Sequence, residues 1–256
     1  MSAKTMAPTT PSRKRKTLHD FFSSNEPSVP SSDAPKTLSP KSRVPGLTIM
    51  PDFITSTEEA ATLTFLSNET WRTDLSRRTI HYGGTYCLMS PKTASPEERK
   101  KIESTILQAS PIPAELQFIV DRMVSDGLYA DKARAAFCIV NEYIDNQGIS
   151  AHVENFRFDE PVCALTLRDG DFMRFHELVV EDDGSVRTGK ARQATRSGKR
   201  VDVFLPSKSL LVMTGEARRK WQHEIVRSRK GRGNAWKRVS LTFRTERMSI
   251  AAAVTK

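Results

Sequence analysis

Three residues of this chain have types and spacing that could do redox chemistry together: His152, Glu154 and, much later, His223. His152-Val153-Glu154 sits just past a run of β-type residues. In extended chain, positions i and i+2 point to the same side, so one short segment presents an imidazole and a carboxylate together. His223 comes after a second β-type run at residues 210–213. Two His and one carboxylate on one face of a non-haem iron leave three coordination positions open. An O2-using enzyme needs those positions, two for a bidentate oxoacid and one for O2. Asp159 is the nearest other acid, but its spacing is wrong for the same strand face. His-x-Glu alone is a common surface tripeptide, so the surrounding residues must carry the rest.

Two neighbouring patterns do so. Asn141 and Tyr143 alternate on one side of the strand before His152. In the last strand, Arg238, Ser240, Thr242 and Arg244 alternate with Val239, Leu241 and Phe243. Arginines on the inner face of a barrel strand are costly unless they meet a carboxylate. A dicarboxylate cosubstrate supplies that partner, and Arg grips it bidentately. The alternative is a strand with one wet face.

The elements that must position these residues are legible in outline. Ser56-Thr57-Glu58-Glu59 reads as a capping box before the spacing Ala60, Leu63, Leu66. Ser95-Pro96-Glu97-Glu98 starts a second helix with a stripe of Ile102 and Ile106. Residues 114–126 make a third, with Leu116, Ile119, Val120 and Met123 on one face. Short β-type runs follow at residues 137–140, 162–167, 172–175, 201–205, 210–213 and 239–243. Helices first and strands after read as α+β, a β-sandwich or barrel packed by N-terminal helices. Residues 181–200 read as a long hairpin insertion.

Composition narrows the setting. The chain has 256 residues, a net charge of +10 and 38% hydrophobic residues. No apolar run approaches the roughly 20 residues of a membrane span, and no signal-peptide stretch is expected. Three isolated cysteines, Cys87, Cys138 and Cys163, argue against a disulfide framework and fit a reducing compartment. Residues 1–45 hold seven of the 14 prolines and eight basic against three acidic residues, half of the net charge. They read as a disordered tail. Within it, Arg13-Lys14-Arg15-Lys16 is a basic cluster of nuclear-import type. Leu18, Phe21 and Phe22 follow, resembling a sliding-clamp-binding box with Arg15 at its Gln position. The expected organisation is a tail at 1–45, a catalytic domain at 46–248 and a short tail at 249–256. A basic protein of this kind suggests nucleic acid as partner, and a monomer is expected.

The order Asn-x-Tyr, His-x-carboxylate, distal His and two spaced arginines resembles the AlkB family of Fe(II)/2-oxoglutarate dioxygenases. Asn141-Glu142-Tyr143, residues 205–216 (Leu-Pro-Ser-Lys-Ser-Leu-Leu-Val-Met-Thr-Gly-Glu) and Trp221-Gln222-His223-Glu224-Ile225 carry the likeness, which covers roughly residues 45–247. The resemblance implies a double-stranded β-helix, or jelly roll, with N-terminal helices and lid loops. It implies that His152, Glu154 and His223 bind iron and that Arg238 holds the distal carboxylate of 2-oxoglutarate. It has Asn141 and Tyr143 help bind the cosubstrate, with Ser240 at a position often filled by Asn. Arg244 would steady the carboxylates on the metal side. The departure is Glu154, where the family usually has Asp. The chemistry implied is oxidative: 2-oxoglutarate and O2 give succinate and CO2 while a substrate C–H bond is hydroxylated. An N-methyl group treated this way leaves as formaldehyde.

The substrate reading is broader. AlkB-type enzymes take a base out of its stack and hold it against aromatic and cationic side chains. Arg77 and Arg78 are candidate phosphate contacts, and Tyr82 or Tyr86 a stacking platform. The alternative for this stretch is a strand, a Gly-Gly turn and a structural tyrosine. His81 and His176 read as structural. Arg187, Lys190, Arg192, Arg196, Lys199 and Arg200 form one basic stretch. Arg227, Arg229, Lys230, Arg232, Lys237 and Arg238 form another, and both suit phosphate tracking. Three functions compete: a nuclear demethylase of alkylated DNA or RNA bases, a tRNA wobble-uridine hydroxylase, which residues 205–216 most resemble, and a protein-directed or inactive module.

Overall fold

A computed structural model describes residues 43–88, 90, 93–181, 194–227 and 232–247. The elements in chain order are β1 (Leu47–Met50), α1 (Ser56–Ser67), β2 (Arg78–Tyr82), β3 (Thr85–Cys87), α2 (Pro96–Ser104), β4 (Ile106–Gln108) and α3 (Ala114–Ser125). They continue with β5 (Phe137–Ile144), β6 (Ile149–His152), β7 (Val162–Arg168), β8 (Asp171–Leu178), β9 (Arg196–Leu205), β10 (Leu210–Met213), α4 (Gly215–Arg219), β11 (Trp221–Ile225) and β12 (Lys237–Arg244). Six strands in the order β1-β10-β7-β12-β5-β2 form a major sheet, and four in the order β6-β11-β8-β9 form a minor one. All named pairings in the two sheets are antiparallel. The fold is the expected jelly roll.

Strand alternation decides what each face does. On β7 and β12, Cys163, Leu165, Leu167, Val239, Leu241 and Phe243 join the cluster formed with Leu66 of α1 and Leu116, Ile119, Val120 and Met123 of α3. Val162 and Ala164 instead join Phe175, Met173, Trp221 and Ile225 of the minor sheet. The polar set Arg238, Ser240, Thr242 and Arg244 shares that second, inter-sheet side of β12 by the period-two rule. The helices therefore cover the apolar face of the major sheet, which leaves the space between the sheets for polar residues.

Several boundaries differ from the sequence reading. The first capping box belongs to Thr55 and Glu58, one residue earlier, with Glu58 N–H donating to Thr55 Oγ1 at 3.2 Å and Thr55 N–H to Glu58 at 2.8 Å. Ser95 and Glu98 form the second box as expected. α2 stops at Ser104 because Thr105 turns extended, so Ile106 lies in β4 and is 70% exposed. Strands also precede the helices: β1 pairs with β10 and β2 with β5. Residues 77–86 do contain a strand and a Gly-Gly turn, with Gly83 and Gly84 at φ +77° and +63°. They make no hairpin, since β3 pairs with β4. Residues 196–205 of the expected hairpin form β9 against β8, while 182–193 and both tails lie outside the described residues apart from 43–45.

Candidate active site

His152 ends β6 and pairs directly with His223 of β11. Their ring centroids are 4.4 Å apart. Close approach of the two strands needs Gly148, where a Cβ would stand 2.2 Å from the Ile225 carbonyl oxygen. Glu154 lies two residues beyond β6 and is buried. Its Oε1 is 3.6 Å from His223 Nε2. Among the described residues, the three form a group whose ligand atoms all lie within 4.8 Å of one another.

Glu154 is fixed from two directions. Arg244 donates Nε to Oε2 at 2.7 Å and Nη2 to Oε1 at 2.9 Å, a bidentate clamp. Arg218, buried in α4, donates to the backbone oxygens of Glu154, Asn155 and Phe158 at 2.9, 2.7 and 3.1 Å. The turn that carries Glu154 is thus held in place by its own carbonyls. Burial pushes the Glu154 carboxyl up, but the charges and hydrogen bonds of Arg244 and His223 outweigh it and hold it well below the usual range. Burial, with the neighbouring His223, lowers His152 to about 4, so its imidazole is neutral near pH 7.

The other end of β12 is unlike this one. Arg238 is 1% exposed and donates Nη2 to Thr166 Oγ1 at 2.8 Å. Its Nε has no hydrogen-bond partner, and among the described residues no carboxylate forms an ion pair with it. Its guanidinium stands 5.6 Å from the centroid of the buried Tyr143 ring. Burial lowers its pKa. Asn141, Tyr143 and Ser240 are buried nearby, with Ser240 opposite Asn141 and Arg238 opposite Tyr143.

These residues fit iron and a dicarboxylic oxoacid. The donor set is two imidazoles, one of them held neutral, and one ionised carboxylate. A buried guanidinium with an unmet donor is the complement of a carboxylate. His152, Glu154 and His223 would hold the metal, and Arg238 the far end of the cosubstrate.

The remaining predicted positions are placed variously. Tyr86 is half-buried with Arg72 over its ring at 4.3 Å and His81 beside it, centroids 4.8 Å apart. Tyr82 is not a stacking platform: it is buried in the core with its hydroxyl on Glu69 at 2.9 Å. Arg78 is ion-paired with buried Glu142 and lies over Trp71 at 4.5 Å, while its side chain stays 41% exposed. Arg77 turns to Asn141. His176 is structural, paired with Glu224 at 2.8 Å.

Both basic stretches lose members to internal roles. Arg232 is a buried staple, on Asp171 at 2.7 Å and over Trp236 at 3.8 Å. Lys237 pairs with Glu142 at 2.5 Å, and Arg196 donates to Gln222 at 3.0 and 2.9 Å. Lys199 lies 5.0 Å from the Trp221 ring. Arg200 and Arg227 remain exposed, while Arg187, Lys190, Arg192, Arg229 and Lys230 lie outside the described residues.

Sequence reasoning missed Arg218, Thr166 and Arg72. Thr166 carried a signal, a lone hydroxyl among the apolar residues that run from Val162 to Leu167. Arg218 carried none, since neighbouring arginines in a short helix usually face water.

Comparison with known proteins agrees with this geometry. The family model of the 2OG-Fe(II) oxygenase superfamily matches residues 46–244. An Arabidopsis thaliana "Alkylated DNA repair protein ALKBH8 homolog" is 28% identical over 184 residues, 71% of this chain and 51% of that protein. An Arabidopsis thaliana "RNA demethylase ALKBH9B" is 25% identical, over 71% of this chain and 32% of its own length. The Macaca fascicularis "tRNA (carboxymethyluridine(34)-5-O)-methyltransferase ALKBH8" is 27% identical, over 75% and 26%. The chain thus spans about half the first relative's length and a third or less of the others'. The solved structure of OsALKBH1 shares the fold, with a TM-score of 0.50 at 18% identity over 80% of this chain and 100% of that one. With two imidazoles, a carboxylate and a buried arginine so arranged, the chain belongs to the 2OG-Fe(II) oxygenase superfamily, which takes Fe(II), 2-oxoglutarate and O2, and it is similar to AlkB-type relatives.

Proposed function

We propose that this enzyme oxidises alkylated nucleobases in nucleic acid, removing N-methyl groups as formaldehyde. The observation that carries the reading is the cluster of Tyr86, Arg72 and His81, an aromatic and cationic surface of the kind a flipped base needs. Burial, then the charges of Arg72 and Arg244, lower His81 to about 4, which keeps its imidazole neutral. Arg72 Nη1 donates to His81 Nε2 at 3.1 Å, so the neutral imidazole keeps its Nδ1–H as a donor for a base edge. Bound Fe(II), 2-oxoglutarate and O2 supply the C–H oxidation. The chain's own residues hold Glu154 rigid, grip the distal carboxylate through Arg238, and present the base through Tyr86 and His81. Arg200 and Arg227, both exposed, are available to phosphates. We further assign it to the nucleus, addressed by residues 13–16 and docked on a sliding clamp through Leu18, Phe21 and Phe22, positions outside the described residues.

A second reading, hydroxylation of a tRNA wobble uridine, is favoured by the likeness of residues 205–216, and a relative whose name gives tRNA uridine 34 as its target supports tRNA as the substrate. The deciding experiment incubates protein, Fe(II) and 2-oxoglutarate with N-methylated DNA, N-methylated RNA or tRNA. Formaldehyde with succinate, lost in His152→Ala, supports demethylation. Succinate without formaldehyde on tRNA supports the second reading. Absence of 2-oxoglutarate turnover on every substrate overturns both.

A further inference from the structure

Arg77 has the spacing of a phosphate contact, but its side chain turns to the cosubstrate wall. Its Nε donates to Asn141 Oδ1 at 2.7 Å, and its guanidinium lies 5.9 Å from the Tyr143 ring centroid. Arg238 stands 5.6 Å from the same ring. The register explains the bracket. On one side of β5, β2 pairs Thr79 with Asn141 and Arg78 with Glu142, so Arg77, one residue earlier, comes level with Tyr143. On the other side, β12 pairs Ser240 with Asn141 and Arg238 with Tyr143.

We propose that Arg77 is a positioning residue of the cosubstrate pocket, orienting the Asn141 carboxamide toward 2-oxoglutarate. A carboxamide has an acceptor end and a donor end. A pocket for a dianion needs donors, and an acceptor oxygen turned inward repels the ligand. By occupying Oδ1, Arg77 leaves the two N–H groups of Nδ2 to face the cleft. Its positive charge, half-buried where Arg238 is fully buried, adds to the attraction from the solvent side. The proposal rests on the assignment of this cleft to 2-oxoglutarate.

Calorimetry of the Mn(II)-loaded protein with 2-oxoglutarate tests it without turnover. Arg77→Ala should weaken 2-oxoglutarate binding roughly tenfold, the scale of one charge-assisted hydrogen bond. In an Asn141→Ala background the same change should matter less than about twofold, because the group being oriented is gone. Affinity for a methylated oligonucleotide should stay as in wild type. Unchanged 2-oxoglutarate affinity in Arg77→Ala with weakened oligonucleotide binding overturns the proposal and returns Arg77 to phosphate. Equal losses in both backgrounds also overturn it. Wild-type protein that binds no 2-oxoglutarate overturns the cleft assignment itself. Arg77→Lys, which keeps the charge, guards against misfolding and should recover part of the affinity.

Discussion

The two ends of β12 carry buried arginines in opposite conditions. Arg244 meets Glu154 with two hydrogen bonds, so its charge is compensated inside the chain. Arg238 is at least as buried yet has one neutral acceptor, Thr166, and an orphaned Nε. The same strand, face and residue type therefore serve two purposes. A guanidinium whose carboxylate is built in is a clamp that fixes a ligand residue. A guanidinium with no directly paired carboxylate keeps a donor that a ligand carboxylate would satisfy, which is the role proposed for Arg238.

The contrast can be broken by substitution. Arg244→Ala leaves the Glu154 carboxylate buried and uncompensated, and should cost about 3–5 kcal/mol by urea unfolding without ligand. Arg238→Met should leave that stability unchanged or raised, since it removes a buried charge that no carboxylate pairs directly, Asp171 acting on it only through space. It should instead abolish the further stabilisation that 2-oxoglutarate gives the Mn(II)-loaded protein, about 2.7 kcal/mol in wild type at a hundredfold excess over Kd. If both variants lose similar stability without ligand, the distinction is mistaken.

The smallest effect concerns pH. Burial and the charges of Arg72 and Arg244 hold His81 near 4 against an ordinary 6.5. The unfolded chain therefore binds more protons between these values, so stability is full above 6.5 and is lost as pH falls toward 4. His81→Gln should flatten the change in urea midpoint between pH 7 and pH 5. An equal change in the variant would show that burial and the neighbouring cations do not hold this imidazole neutral.

Local rules made some of this legible. The pairing of His152 with Glu154, and of Arg238 with Arg244 on one inner face, follows from period-two alternation. The helix starts at Ser95 and near Ser56 follow from side chains that cap free N–H groups. Arg77, Arg78, Tyr82 and Arg232 were beyond such rules. Their sequence neighbours suggested phosphate and base contacts, yet their partners Asn141, Glu142, Glu69 and Asp171 lie 64, 64, 13 and 61 residues away.

The sequence by itself determined the candidate His152-x-Glu154 pair and the inward arginines of β12, because each depends on spacing within one short segment, while bringing His223 beside them took the pairing of β11 with β6. Only the tertiary structure decided which cations are consumed internally and which await a ligand. A charge in a sequence carries no record of its counter-charge, and burial makes the difference between a paired and an unpaired guanidinium large.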